Sequence, residues 1–506
     1  MSDQQVVEAL HSNAPLVLVE APAGFGKTFQ GAQYAKYLLP SLSPGRLLIL
    51  AHTNAACDVF TDRTRGFGGR VEIRTIDSLI MNIAIAYHKA LRLPPDVPNW
   101  VHQQGQDGFN KLAVKVSNFL AQAQAISAAL SCRYPYVVCD EHQDTSEAQH
   151  QIILSISNAG AFIRIFGDPM QAIYENRKDQ ESWNRRWAEL QDAANCYVAL
   201  NTPHRWKDHS LELGEWISKA RKALKAVREI DLRGELPRGL TLIRADNIAQ
   251  RHGQYMLSSE ERRPIDSFVK ASSSLLVLAS TNDTVRGLRA FFNRSIPIWE
   301  GHTRDSLSTL FLDCQEHSGR AVTIAESFIK FVQSVACGFS NTSYGNILRR
   351  EVNEGCRSAR RQKSACIQEI ARLIIECPDH RGVAQALAKL GAFIDTDKAF
   401  NDIKLDLKRE FREAARLAQY EDANAGLAEL ALRRTVFRIS LPSKVISTIH
   451  KAKGHERENV IIMPCDEQHF GDSDAKRRLL YVALSRAIES LALVIPRNSP
   501  SPLFLL

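Results

Sequence analysis

The chain has 506 residues, 44% hydrophobic and 24% charged, an ordinary globular composition long enough for roughly two to four domains. No apolar run reaches the ~18 residues of a membrane span, and "MSDQQVVEAL" lacks the basic flank and apolar core of a secretory signal, so a cytoplasmic protein without a membrane partner is expected. The net charge of +8 is compatible with a polyanionic partner without requiring one, and the ten cysteines include no C-x-x-C pair.

In chain order, "LVLVE" (16–20) leads through a glycine turn into a helical "TFQGAQYAKYLL". "RLLILAH" (46–52), "VEIRT" (71–75), "YVVCD" (136–140) and "FIRIFGD" (162–168) continue the alternation of strands and helices. Strands apolar along their whole length and separated by helices predict a parallel sheet covered on both faces. A helical, polar stretch over about 85–130 reads as a small insertion. A second strand set is predicted at "CYVAL" (196–200), "LTLIRA" (240–245), "LLVLAS" (275–280), "KVISTIH" (444–450), "NVIIMP" (459–464) and "LALVIP" (491–496). A charged helical stretch over about 301–435 interrupts it. Within that stretch Cys314, Cys337, Cys356, Cys366 and Cys377 lie at irregular spacing, which leaves metal binding open. Also there, "LRREVNEGCRSARRQK" (348–363) reads as a basic helix, either a solvated face or a surface for duplex DNA or a partner.

Two motifs carry the chemistry. "APAGFGKT" (21–28) sits between a strand and a helix, the context of a phosphate-binding loop. Gly24 and Gly26, beside Ala23, let backbone N–H groups turn toward a phosphate, Lys27 would reach the β- and γ-phosphates of ATP, and Thr28 would hold Mg²⁺. "DEHQDTS" (140–146) ends a neighbouring strand in adjacent carboxylates. There Asp140 would hold Mg²⁺, and Glu141 would take a proton from, or orient, the attacking water.

Further motifs follow in fixed order: "AHTNAA" (51–56), "TIDSL" (75–79), "GDPMQAIY" (167–174), "TPHRW" (202–206), "STIHKAKGHERENV" (447–460) and "RRLLYVALSRA" (477–487). The series resembles superfamily 1 helicases of the UvrD/Rep type across both strand sets, though not across the two insertions. The resemblance implies an α/β fold of two RecA-like parallel-sheet domains, each with a helical insertion. The first RecA-like domain would comprise 1–84 and 131–200, with insertion 85–130. The second would comprise 201–300 and 436–506, with insertion 301–435. It implies an ATP- and Mg²⁺-dependent single-stranded DNA translocase and helicase moving 3′ to 5′. By resemblance Gln5 reads adenine, Gln171 senses the γ-phosphate, Arg205 and Arg486 reach it from the second domain, and Glu456 lies near the ribose. Thr53, Asn54, Thr75, Ser78 and His450 match positions that touch single-stranded or partly duplex DNA.

The sequence departs from the family mainly at base and nucleic-acid contacts. Asn176 replaces the stacking tryptophan of motif III, with Trp183 and Trp187 nearby as core residues or substitutes. His204 replaces the tyrosine that stacks on adenine, His52 an aromatic, and Ala475 and Lys476 a pair of glutamates. The compact chain is also similar to the helicase subunit of Gabija-type anti-phage systems, which works with a separate OLD-family nuclease. Two other readings stand beside it: a free-standing repair helicase, and a nucleotide-sensing regulatory subunit that gates a nuclease without processive unwinding.

Overall fold

A computed structural model describes residues 3–42, 44–104, 107–174, 180–249, 254–301, 304–436 and 442–506. The chain divides into two compact units, Met1–Phe292 with Thr448–Leu506, and Asn293–Ser447.

The first unit contains two parallel sheets. One comprises β1 (Leu16–Glu20), β2 (Leu47–Ala51), β3 (Val71–Thr75), β4 (Tyr136–Cys139), β5 (Phe162–Gly167) and β6 (Cys196–Ala199). Their order is β3-β2-β4-β5-β1-β6, and every neighbouring pair is parallel. β1 and β2 are buried at every residue, as strands covered on both faces must be. The order sets the ends of β4, β5 and β1 side by side.

One sequence expectation is corrected here. Cys196–Ala199 does not belong with the later strands; it pairs with β1, Val17 opposite Cys196, at the edge of the first sheet. Its residues alternate between half-buried and exposed, so its short apolar run carries no information about which sheet it joins.

Within the first unit, the second sheet uses β7 (Leu240–Arg244), β8 (Leu275–Ala279), β10 (Arg457–Ile462) and β11 (Ala487–Ile495), in the order β8-β10-β11-β7 and all parallel. β9 (Lys444–Thr448) is the strand on which the chain returns to the first unit. The helices that position the site are α1 (Gln4–His11), α2 (Lys27–Leu38), α3 (Asn54–Arg63), α4 (Ile76–Ala86), α5 (Leu211–Lys225), α6 (Asn282–Phe291) and α7 (Asp474–Leu484). The stretch 85–130 is helical, through Val97–Gln103, Gly108–Gln122 and a helix starting at Gln124. Leu112, Val116 and Leu120 share one hydrophobic core with Leu48, Val137 and Ile163, so this segment is packed onto the first sheet.

The second unit is a helical bundle whose core includes Phe328, Val332, Tyr344, Leu387 and Phe400. The basic segment is helical in the part that lies in Asn346–Glu354, where Gly355 at φ +69° ends the helix, and its last residue, Lys363, starts the next helix. Arg349 pairs with Glu326, Arg360 with Glu351 and Glu354, and Lys363 lies 3.5 Å from the centre of the Tyr344 ring. Much of its charge is therefore engaged within the unit, while Arg357 and Arg361 remain exposed.

Arg164 anchors the N-terminal helix. It lies on β5, 1% exposed, and donates to the carbonyls of Leu10 (2.9 Å), Ser12 (2.8 Å) and Ala14 (2.8 Å) at and beyond the end of α1. Those carbonyls have no helical partners of their own. Arg164→Ala is expected to leave them buried and unpaired and to destabilise the first unit by about 2–4 kcal/mol. Thermal unfolding followed by circular dichroism checks this, as a clear fall in the transition temperature.

Candidate active site

β1 hands over to α2 through the loop 21–26. Gly24 and Gly26 have φ of +79° and +82°, a region that favours glycine. A Cβ on Gly24 would lie 2.9 Å from both Arg205 Cβ and Trp206 Cζ3, and one on Gly26 would lie 2.9 Å from His204 Cδ2. Both glycines are therefore required twice, by the turn and by the close approach of 204–206. The loop is also tied to the second half by hydrogen bonds. Arg205 N–H donates to Gly24 O at 2.9 Å, and Ala23 N–H donates to the Tyr481 hydroxyl at 3.0 Å.

Across from the loop, β4 ends at Asp140 and Glu141. Lys27 Nζ lies 3.3 Å from Asp140 Oδ1 and forms a short ion pair with Glu141. Burial disfavours the Lys27 charge, but the two carboxylates outweigh it and raise its pKa. Burial also acts against the Glu141 charge, yet Lys27 and Lys453 hold its carboxyl down to about 2. Asp140 shifts the other way, upward, because burial and the neighbouring Glu141 charge exceed what Lys27 offsets. Glu141 itself adopts φ +50°, an uncommon conformation for a non-glycine residue. The loop after it is fixed by a capping box, in which Ser146 accepts from Gln149 N–H and donates its own N–H to the Gln149 side chain.

Residues of the second half reach the same region. Arg205 donates to Ser485 O at 2.6 Å and pairs with Glu456 at 2.5 Å. Arg486 is 2% exposed, donates to Val482 O (3.0 Å) and Ser485 Oγ (2.7 Å), and is pushed down to about 10 by burial and then by Arg205. Glu456, Tyr481 and Glu141 pull it back up, so Arg486 and Glu141 share one electrostatic neighbourhood.

The remaining sequence candidates have different partners. The Gln171 amide donates to Asp168 Oδ2 at 3.0 Å. His204 pairs with Asp3 at 2.9 Å, and Asp3 also accepts from Asn201 N–H. Gln5 is exposed on α1, so Asp3 is the N-terminal side chain in contact with the 201–204 segment. Thr28 is half-buried at the start of α2. Thr53 caps α3 by accepting from Ala56 N–H, and Thr75 caps α4 by accepting from Ser78 N–H, each at 3.2 Å. Asn54 is exposed, and His450 Nε2 lies 3.2 Å from Ile173 O. Asn176 lies outside the described residues. Trp183 and Trp187 stack on each other in the core, 3% and 7% exposed, and leave little ring surface for a base. The five cysteines of the second unit form no shared cluster among the described residues. Cys366 and Cys377, for example, donate separately to Asp397 and Asp379.

Several residues escaped the sequence reading. Lys453 pairs with Asp144 at 2.6 Å and donates to Gln171 O at 2.6 Å. Tyr174 donates to His450 O at 3.2 Å. Thr281 caps α6 in almost the conformation that Thr53 adopts before α3, φ −131° and ψ 158° against φ −132° and ψ 154°. The signal was present, since "STN" (280–282) follows β8 as "HTN" (52–54) follows β2. Lys453 is three residues before Glu456 and could have been found there; Tyr481 and Arg221 are single residues on helices and give no local signal.

Residues 96–182 match the family model of the UvrD/REP helicase N-terminal domain, and residues 444–494 match that of the UvrD-like helicase C-terminal domain. No curated protein matches the chain. The first match contains Asp140, Glu141 and Gln171, and the second contains His450, Glu456 and Arg486. The two matches support a UvrD-type superfamily 1 helicase, and domains of this type indicate an ATP-dependent DNA helicase and ATPase. Lys27→Ala is expected to lower ATP turnover by at least ~100-fold, because it removes the positive charge facing Asp140 and Glu141. Phosphate release by the folded variant measures it.

Proposed function

We propose that this protein is a single-stranded DNA translocase and helicase that hydrolyses ATP between its two parallel sheets. The observation that carries the reading is the meeting of opposite groups around one glycine loop. Lys27, Asp140 and Glu141 come from the first sheet, and Arg205, Arg486 and Glu456 come from the second half.

In this reading the loop amides and Lys27 bind the β- and γ-phosphates. Thr28 and Asp140 offer the hard oxygen donors that Mg²⁺ takes, and the crowding of Asp140 by Glu141 is what a dication relieves. Mg²⁺ supplies charge neutralisation on the phosphate oxygens. Glu141 is ionised at neutral pH but a poor base while Lys27 grips it. Phosphate oxygens that engage Lys27 loosen that grip, so the carboxylate becomes more basic when substrate is present and can take the proton of the attacking water. Arg205 and Arg486 stabilise charge on the transferring phosphoryl group. Gln171 reports on it through its link to Asp168 and, by its carbonyl, to Lys453.

The polymer contacts would come from the ends of the strands. Thr53, Asn54, Thr75, Ser78 and His450 offer hydroxyl, amide and imidazole groups that suit sequence-independent, salt-sensitive contact with a phosphate backbone. Movement 3′ to 5′, a role in anti-phage defence and a partner nuclease are the finer parts of the proposal and rest on the family resemblance. Strand displacement from a 3′-tailed but not a 5′-tailed duplex tests the polarity.

The ATPase assay tests the core of the proposal. Turnover should rise several-fold on addition of single-stranded DNA, and a rate unchanged at saturating DNA would reject translocation. Glu141→Gln should keep nucleotide binding, stall hydrolysis and hold the protein on a single strand. Wild-type turnover in that variant would show that Glu141 is not the base.

A further inference from the structure

Behind the glycine loop lies a buried ionic cluster of which the catalytic scheme uses only Asp168, as the partner of Gln171. Glu20 ends β1 and is 3% exposed; Asp168 follows β5 and is fully buried. β1 and β5 are neighbours, with Glu20 opposite Gly167, so two carboxylates are brought together out of water. Such a pair needs a cation between its members. Arg221, from α5, supplies it, its Nη2 lying 2.6 Å from Glu20 Oε1 and 2.6 Å from Asp168 Oδ1.

The two carboxylates are not equally dependent on it. Glu20 also takes Lys225 at 2.6 Å and the Tyr197 hydroxyl. Asp168 has Arg221 as its only cationic partner among the described residues, and its second oxygen accepts the Gln171 amide. Burial acts against the Glu20 charge, but Arg221 holds its carboxyl down to about 2, so Glu20 is ionised at neutral pH. Arg221 also lies 5.7 Å from the centre of the Tyr481 ring, and the Tyr481 hydroxyl accepts from Ala23 N–H in the glycine loop. A single guanidinium therefore touches the strand that enters the loop, the aspartate that holds Gln171, and the helix that precedes Arg486.

We propose that Arg221 is a positioning residue for ATP hydrolysis, fixing the Asp168–Gln171 arm to α5 and α7 so that the arm moves with the arginines of the second half. The proposal rests on the ATPase reading above. Arg221 touches no nucleotide-binding atom in this scheme, so its loss acts on the chemical step and not on nucleotide affinity. The direction follows from geometry. If α5 withdraws, Asp168 is left as a buried charge without a cation, and relief comes by rotating the carboxylate, which moves Gln171 with it.

The test uses the full chain as wild type, Arg221→Ala, Arg221→Lys, Asp168→Asn and Lys225→Met. Steady-state ATPase with and without oligo(dT), titration with a fluorescent ADP analogue, and thermal unfolding are measured on each. Arg221→Ala should lower kcat about tenfold or more, the scale of loss when a reacting group is misplaced by a fraction of an ångström or more. Its KM and ADP affinity should stay near wild type. Arg221→Lys, which keeps the charge on a shorter side chain without the planar guanidinium, should recover part of the loss. Asp168→Asn should resemble Arg221→Ala, and Lys225→Met should resemble wild type. A folded Arg221→Lys and Arg221→Ala with wild-type kcat overturns the proposal, as does a rise in KM at constant kcat. Failure of every Arg221 and Asp168 variant to fold also overturns it, because the residue is then a strut of the fold. A wild type that hydrolyses ATP without DNA stimulation rejects the translocase reading alone, and the basal kcat still decides for Arg221. A wild type with no ATPase rejects both.

Discussion

The structure is organised around one ammonium group facing two carboxylates. Lys27 is the first residue of α2, where the helix dipole disfavours a cation, and it is largely withdrawn from solvent. Asp140 and Glu141 are consecutive acids at the end of β4, where neither is comfortable as a charge beside the other. Each side is unfavourable alone, and each resolves the other. The strand order makes this possible, because β5 alone separates β4 from β1 and all three run in the same direction. A phosphate entering the loop competes with the acids for Lys27 and suits the helix N-terminus better than the lysine does. The contact that stabilises the loop is thus also the one a nucleotide would displace.

The second half presents the complementary problem. Arg205 and Arg486 are close enough for Arg205 to lower the pKa of Arg486, and both are tethered to Ser485. Glu456 answers one of them and Lys453 answers Asp144 on the first half. Of the acids here, Asp140 and Glu141 share Lys27, Asp144 takes Lys453 and Glu456 takes Arg205, while Arg486 bonds to Val482 O and Ser485 Oγ. Charge matched in this way can be redistributed by an anion without leaving a buried charge alone. That is a physical reason for ATP binding to bias the approach of the two halves.

The α/β class was legible because fully buried parallel strands must be apolar throughout, and "LVLVE" and "LLILA" have no other good use. The allocation of strands to sheets was less legible. Cys196–Ala199 is a half-exposed edge strand, and pairing is decided by register with β1, which no short segment encodes. Among the site residues, those in contiguous motifs could be read: the glycine loop follows a strand, and the acids end one. Arg221 and Tyr481 could not be read in the same way. Their significance comes from partners hundreds of residues away, such as Tyr481 against Ala23 and Arg221 against Glu20. Local sequence offers only a basic or aromatic residue on a helix. The contact of Asp3 with Asn201 and His204 has a similar origin, since it joins the first residues of the chain to a segment some 200 residues on.

The two sheets also share a device at the edge where a polymer would run. Thr53 and Thr281 follow a strand and Thr75 and Thr448 end one; each adopts an extended backbone and accepts the N–H three residues on. Each cap starts a helix at the carboxyl end of a strand, so hydroxyls and the first free N–H groups gather on the same side of each sheet. Thr53–Asn54 and Thr281–Asn282 repeat the arrangement on the two halves with nearly equal dihedral angles. In the proposed function, a polymer with a regular phosphate spacing would be met in the same way by either half. Such equivalence is what hand-over-hand movement needs: the halves must offer comparable grips, and ATP must decide which of them holds.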